Sequence, residues 1–153
     1  PAAIGAQFAY PNKLVIDVSG DGSFQMNLQE LITAVSNKLP VKVLLLNNGC
    51  LGMVRQLQDL FYGGRLNAVD IPDQPDFVKL AEAYGCVGMR AFTKDEAIEC
   101  IKKANEINDR PVLIDFRVWK DAMVWPMVAA GDSNDNVTYK PGVKPLQRAG
   151  ENE

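Results

Sequence analysis

Two short runs carry the residues best suited to chemistry, Gly20-Asp21-Gly22-Ser23 and Leu46-Asn47-Asn48-Gly49, and they place Asp21 and Asn48 27 positions apart. A carboxylate, an amide carbonyl and a nearby main-chain oxygen are hard donors. That set suits an octahedral magnesium ion still completing its shell with phosphate oxygens and water, so the metal would clamp a diphosphate. Gly20 and Gly22 let the backbone turn sharply and approach a bulky anion with no Cβ in the way. Ser23 adds a hydroxyl and opens a helix whose N-terminal N–H groups would face the phosphates. Singly, such strings are ordinary turns; the pair at this spacing argues for a site.

Bringing the two runs together requires a βαβ unit. Residues 14–19 read as a strand. Residues 24–39 read as a helix with Phe24, Leu28, Leu31, Ile32, Val35 and Leu39 on one face and Pro40 as its stop. Residues 41–46 read as a second strand. Parallel strands joined in this way deliver Asp21 and Asn48 to the same carboxyl edge. Further along, the pattern predicts helices over 51–61 and up to Gly85, a loop over 62–74, and strands over 86–92 and 111–119. Between those strands, the capping box Thr93-Lys94-Asp95-Glu96 opens a helix with Ala97, Ile98, Ile101 and Ala104 turned inward. Residues 1–9 are apolar around most of their circumference and read as a buried helix. The alternation predicts an α/β fold, a three-layer parallel sheet with helices on both faces.

A chain of 153 residues that is 47% hydrophobic and 23% charged can bury one core. Residues 1–130 read as a single diphosphate-binding domain and residues 131–153, poor in large apolar side chains, as a flexible tail. Sixteen basic against nineteen acidic residues and no Lys/Arg-rich run argue against a nucleic-acid partner. No apolar run is long enough to span a membrane, and the start lacks the basic region of a signal peptide, so a cytoplasmic location is expected. Cys50, Cys86 and Cys100 show no CxxC spacing and read as reduced thiols. No histidine is present to act as a general base near neutral pH.

At these residues the chain resembles the thiamin diphosphate (ThDP) enzymes, whose cofactor motif sets GDG and NN at this separation; 24 residues lie between Gly22 and Asn47. Gly20 to Asn27 with Gln29-Glu30-Leu31, then Leu46-Asn47-Asn48 and Gly52-Met53-Val54-Arg55-Gln56, are similar to the acetolactate synthase large subunits. Pro1 to Ala6 and Pro126-Met127-Val128-Ala129 match as well. The resemblance implies the C-terminal, diphosphate-binding domain of an enzyme that decarboxylates pyruvate and condenses it with a second 2-keto acid in branched-chain amino acid biosynthesis. It makes Asp21, the side-chain oxygen of Asn48 and the main-chain oxygen of Cys50 the magnesium ligands. Gly20, Gly22 and Ser23 would contact the diphosphate, and Gly52 and Met53 the middle of the cofactor.

The same resemblance places the activating glutamate and the aminopyrimidine pocket in another domain, usually of a second large subunit. The chain therefore reads as a fragment with no catalytic residue of its own, inactive when isolated. FAD and a regulatory small subunit are left open. One position departs from the family: where many members carry tryptophan after GMVxQ, Leu57 stands here. The family tryptophan shapes the channel for the second substrate and stacks on sulfonylurea herbicides, so Leu57 is the candidate substrate-specificity residue, with packing on a helix face as its plain alternative.

Other readings are the same domain of a ThDP decarboxylase, oxidase or carboligase, or a non-catalytic interaction module of this fold. A dinucleotide-binding domain fits poorly, because Gln25 stands where GxGxxG needs its third glycine.

Overall fold

The computed structural model describes residues 1–141; the rest of the expected tail lies outside the described residues. In chain order the elements are α1 (Ala2–Ala9), β1 (Ile16–Gly20), α2 (Asp21–Phe24), a 3-10 turn (Leu28–Glu30), α3 (Leu31–Ser36) and β2 (Lys42–Asn47). Then follow α4 (Gly52–Phe61), α5 (Phe77–Tyr84), β3 (Val87–Ala91), α6 (Lys94–Glu106) and β4 (Val112–Arg117). The four strands form one parallel sheet in the order β1-β2-β4-β3. All carboxyl ends therefore lie along one edge. The described chain divides into two units, Pro1–Asp121 and another starting at Ala122. In the second, Met127 and Thr138 form an isolated antiparallel bridge.

Alternate residues of β2 pack on opposite faces, as a central strand requires. Val43 and Leu45, with Leu113 of β4, meet Phe24, Leu31, Ala34, Phe77 and Ala81 from α2, α3 and α5. The rings of Phe24 and Phe77 sit edge to face, centroids 6.1 Å apart. On the other face Leu44, Val112 and Ile114 pack under Ala104 of α6. Helices thus cover both faces of the sheet, as expected from the alternating pattern.

Four details differ from the sequence reading. The helix expected over 24–39 is split into α2, the 3-10 turn and α3, because Asn27 leaves helical backbone space at φ −138°, ψ 21°; asparagine competes with the helix for backbone hydrogen bonds. α1 is not a buried helix, since Gln7 is its one buried residue. Gln7 Nε2 ties down the following loop by donating to the carbonyls of Tyr10 and Lys13, both at 3.0 Å. On α6 the residues turned inward are Cys100 and Ala104, joined by Ile107 at its C-cap, whereas Ile98 and Ile101 are exposed. On the α6 face of the sheet, Ile16, Val18 and Leu46 are exposed over β1 and β2.

The caps follow their local chemistry. Asp76 accepts from the N–H groups of Val78 and Lys79 at the start of α5, and Gly85 ends that helix at φ +89°. Thr93 and Glu96 form the expected reciprocal capping box, each accepting from the other's backbone N–H at 3.2 Å.

Candidate functional site

β1 ends at Gly20 and β2 at Asn47, so the two runs singled out by their chemistry emerge side by side at the carboxyl edge. Asp21 is only 1% exposed. Its Oδ2 accepts from the backbone N–H of Gly49 at 3.0 Å, which links the first run to the second across 28 positions. The side-chain amide of Gln74, from the loop before α5, donates to the same oxygen. Asn48 Oδ1 accepts from the N–H of Cys50 at 3.1 Å, a turn that holds the loop in shape.

The glycines differ in what they make possible. A Cβ on Gly22 would lie 2.7 Å from Leu51 Cδ2 and 3.2 Å from Ile71 Cδ1, so this position admits no side chain without displacing its neighbours. A Cβ on Gly52 would come within 3.1 Å of the Asn48 amide nitrogen. Gly20 has room, its nearest neighbour being the Ser23 hydroxyl at 3.6 Å. That hydroxyl accepts from the Gly20 N–H and donates to the Gly20 carbonyl, both at 3.1 Å, so it closes the turn. The helix it was expected to open is a single turn, Asp21–Phe24.

Cys50 is buried, with its Sγ 3.6 Å from the Lys120 carbonyl. Burial pushes its thiol pKa up, and the sulfur stays protonated at neutral pH. On α4 Gln56 is buried, while Met53, Leu57, Leu60 and Phe61 form an exposed apolar stripe. Leu57 is 40% exposed, which removes simple core packing as its role within the described residues.

A family model described as "Thiamine pyrophosphate enzyme, C-terminal TPP binding domain" matches residues 1–116. This chain belongs to that family. It is 53% identical over 150 residues to the acetolactate synthase large subunit IlvB1 of Mycobacterium tuberculosis, a match covering 95% of this chain and 24% of that protein. The large subunit of acetolactate synthase isozyme 2 from Escherichia coli is 44% identical over 140 residues, 92% of this chain and 25% of that one. The chain thus spans about a quarter of the length of these curated relatives. A solved structure, the thiamine diphosphate-dependent 4-hydroxybenzoylformate decarboxylase of Rhodococcus jostii RHA1, superposes with a TM-score of 0.73 at 36% identity. That match covers 80% of this chain and 23% of the other.

Within this TPP-binding domain, three features escaped the sequence reading. Gln74 lies in a stretch read only as loop, and a lone glutamine between prolines gives no signal. Asn47 was read as part of a motif rather than as a buried group. It is 1% exposed, and neither Nδ2 nor Oδ1 has a hydrogen-bond partner among the described residues. Each such group costs about 1–3 kcal/mol when left unpaired. Asp115, fully buried on β4, is held by Arg90 Nε at 2.8 Å, and Arg90 also grips Asp76 at 2.6 Å. The guanidinium holds the Asp76 carboxyl below its usual range.

Proposed function

We propose that this chain is the diphosphate-binding domain of an acetolactate synthase large subunit and that it holds thiamin diphosphate through magnesium. The supporting observation is the hydrogen bond from Gly49 to Asp21, which ties the GDG turn to the NN loop at the carboxyl edge. The donor chemistry fits the group. Among the described residues no cluster of three His, Cys, Asp or Glu offers a softer or more highly charged site. One carboxylate beside amide and main-chain oxygens suits magnesium that shares its shell with phosphate. The unpaired Asn47 amide adds polar capacity at the same edge, and Gly22 keeps the approach free of a side chain that would push against Leu51 and Ile71.

In this reading Asp21, Asn48 Oδ1 and the Cys50 carbonyl hold the metal, while Gly20, Gly22 and Ser23 border the diphosphate. Gly52 and Met53 open α4 beside it, and Leu57 lies one turn further along. When bound, ThDP supplies the carbanion chemistry for decarboxylating pyruvate and joining it to a second 2-keto acid. The chain's own residues bind and orient: Asp21 neutralises metal charge, and Gly49 and Gln74 keep its carboxylate aimed. The exposed stripe on α4 supports a partner surface, for which the proposal names the rest of the large subunit and a second large subunit. A regulatory small subunit, FAD, a cytoplasmic location and a place in branched-chain amino acid biosynthesis belong to the same proposal. Among the described residues no helix is long and apolar enough to cross a membrane.

The test is calorimetric titration of the purified protein with ThDP, with and without magnesium. Binding is expected to require the metal and to vanish in Asp21→Ala. Unchanged ThDP affinity in that variant, or after chelation, would sink the assignment.

A further inference from the structure

The metal reading rests on a five-residue loop, 47–51, and the structure shows what grips it. On one side runs the segment 69–71: Leu51 N–H donates to the Val69 carbonyl at 2.8 Å and Ile71 N–H to the Gly49 carbonyl at 2.9 Å, with Cys50 bridged to Asp70. On the other side runs the continuation of β4. Val118 N–H donates to the Asn47 carbonyl at 3.0 Å, and the Cys50 thiol meets the Lys120 carbonyl at 3.6 Å. Two charged contacts close this girdle. Lys120 Nζ pairs with Asp70 at 2.9 Å, joining one side to the other. Arg55, on the first turns of α4, donates to the Lys120 carbonyl at 3.1 Å and pairs with the Asp121 carboxylate.

We infer that Arg55 is a positioning residue for the metal: by holding Lys120 and Asp121 it sets where the Asn48–Cys50 main chain presents its oxygens. The inference rests on the magnesium reading above. The Arg55 side chain is 24% exposed and its Asp121 partner 50%. An ion pair at that exposure contributes little to global stability. Its geometry, however, is specific, because one guanidinium nitrogen, Nη1, at the end of a planar group, reaches the Lys120 carbonyl and the Asp121 carboxylate at once, whereas a lysine carries its ammonium as a point charge on a flexible stem. Magnesium demands near-ideal octahedral geometry from its ligands, so a ligating loop held off its position binds the ion less well. Removing this double contact should therefore move metal affinity far more than it moves stability.

The experiment is titration of the purified protein with Mn2+ in the presence of ThDP, followed by the electron paramagnetic resonance signal of the free ion. Thermal unfolding of the metal-free protein runs alongside. For Arg55→Met and, as a second variant, Asp121→Ala, Mn2+ affinity is expected to fall about tenfold or more while the melting temperature moves by less than about 4 °C. Arg55→Lys is expected to fall between wild type and Arg55→Met. Asp21→Ala serves as the reference that abolishes binding. If Asp21→Ala abolishes binding but both clasp variants bind Mn2+ like wild type, Arg55 has no positioning role and the metal reading stands. If Asp21→Ala binds like wild type, the metal reading falls and takes the inference with it. A loss of affinity in Arg55→Met and Asp121→Ala matched by a large drop in melting temperature would make the role merely structural and overturn the proposal.

Discussion

At residue 57 a leucine side chain is 40% exposed on α4, at the position where the resemblance to acetolactate synthases, many of which have tryptophan there, led to the expectation of a specificity residue. Leucine has no aromatic face, and a stacking contact is worth about 0.5–1.5 kcal/mol beyond burial, or roughly threefold to tenfold in affinity. Leu57→Trp is therefore expected to raise both sulfonylurea affinity and preference for 2-ketobutyrate over pyruvate by about that factor. If the chain is part of the large subunit proposed above, competition between the two keto acids and an inhibitor titration, run on both versions of the full-length enzyme, read the effect. If neither the product ratio nor inhibitor potency changes, residue 57 plays no part in specificity. At this same scale the sequence was most legible where chemistry and backbone agree. GDG and NN could be paired from spacing because both lie at strand ends. Gln74 and the orphaned Asn47 amide could not be assigned, since their meaning comes from neighbours brought in by the fold.

Elements were legible where a local signal was complete. The box Thr93-Glu96 and the Gly85 stop placed two helix ends, and the apolar runs of β2 and β4 placed the centre of the sheet. Periodicity alone was weaker. It joined α2, the 3-10 turn and α3 into one helix because Phe24, Leu28, Leu31 and Val35 share a face at helical spacing, although the backbone at Asn27 breaks it. On α6 it selected Ile98 and Ile101 over Cys100 and, at the C-cap, Ile107, since hydrophobicity does not reveal which stripe meets the sheet. The start of α5 supports a prediction of pH dependence. Arg90 lowers the Asp76 pKa in the folded chain below the ordinary value of 3.8. A depressed carboxyl stabilises the fold above its unfolded pKa and loses that contribution as pH falls through the folded value. Asp76→Ala is thus expected to lower the urea midpoint at neutral pH, with the gap to wild type closing below about pH 3.8. A gap of constant size down to pH 2 would show that Asp76 acts only as a space-filling group.

Across the whole molecule the two sheet faces are unequal. Four helices pack on one side and α6 alone on the other, where it reaches β3 and β4 but leaves Val18 64% exposed beside Ile16 and Leu46. β1 is also an edge of the described sheet. An apolar row along an open edge is a template for association between chains. Light scattering of the purified chain is expected to report growing particle mass as concentration rises, and Val18→Lys to delay its onset severalfold. Equal onset for both would remove β1 as the sticking surface. This asymmetry separates two kinds of behaviour in one small protein. Colloidal behaviour is expected to follow the exposed row on β1, and in the proposed function ligand chemistry belongs to the turn that begins one residue after it ends. A delayed onset in Val18→Lys would mean that one lysine tunes solubility while the carboxylate and amide at the sheet's edge stay as they are.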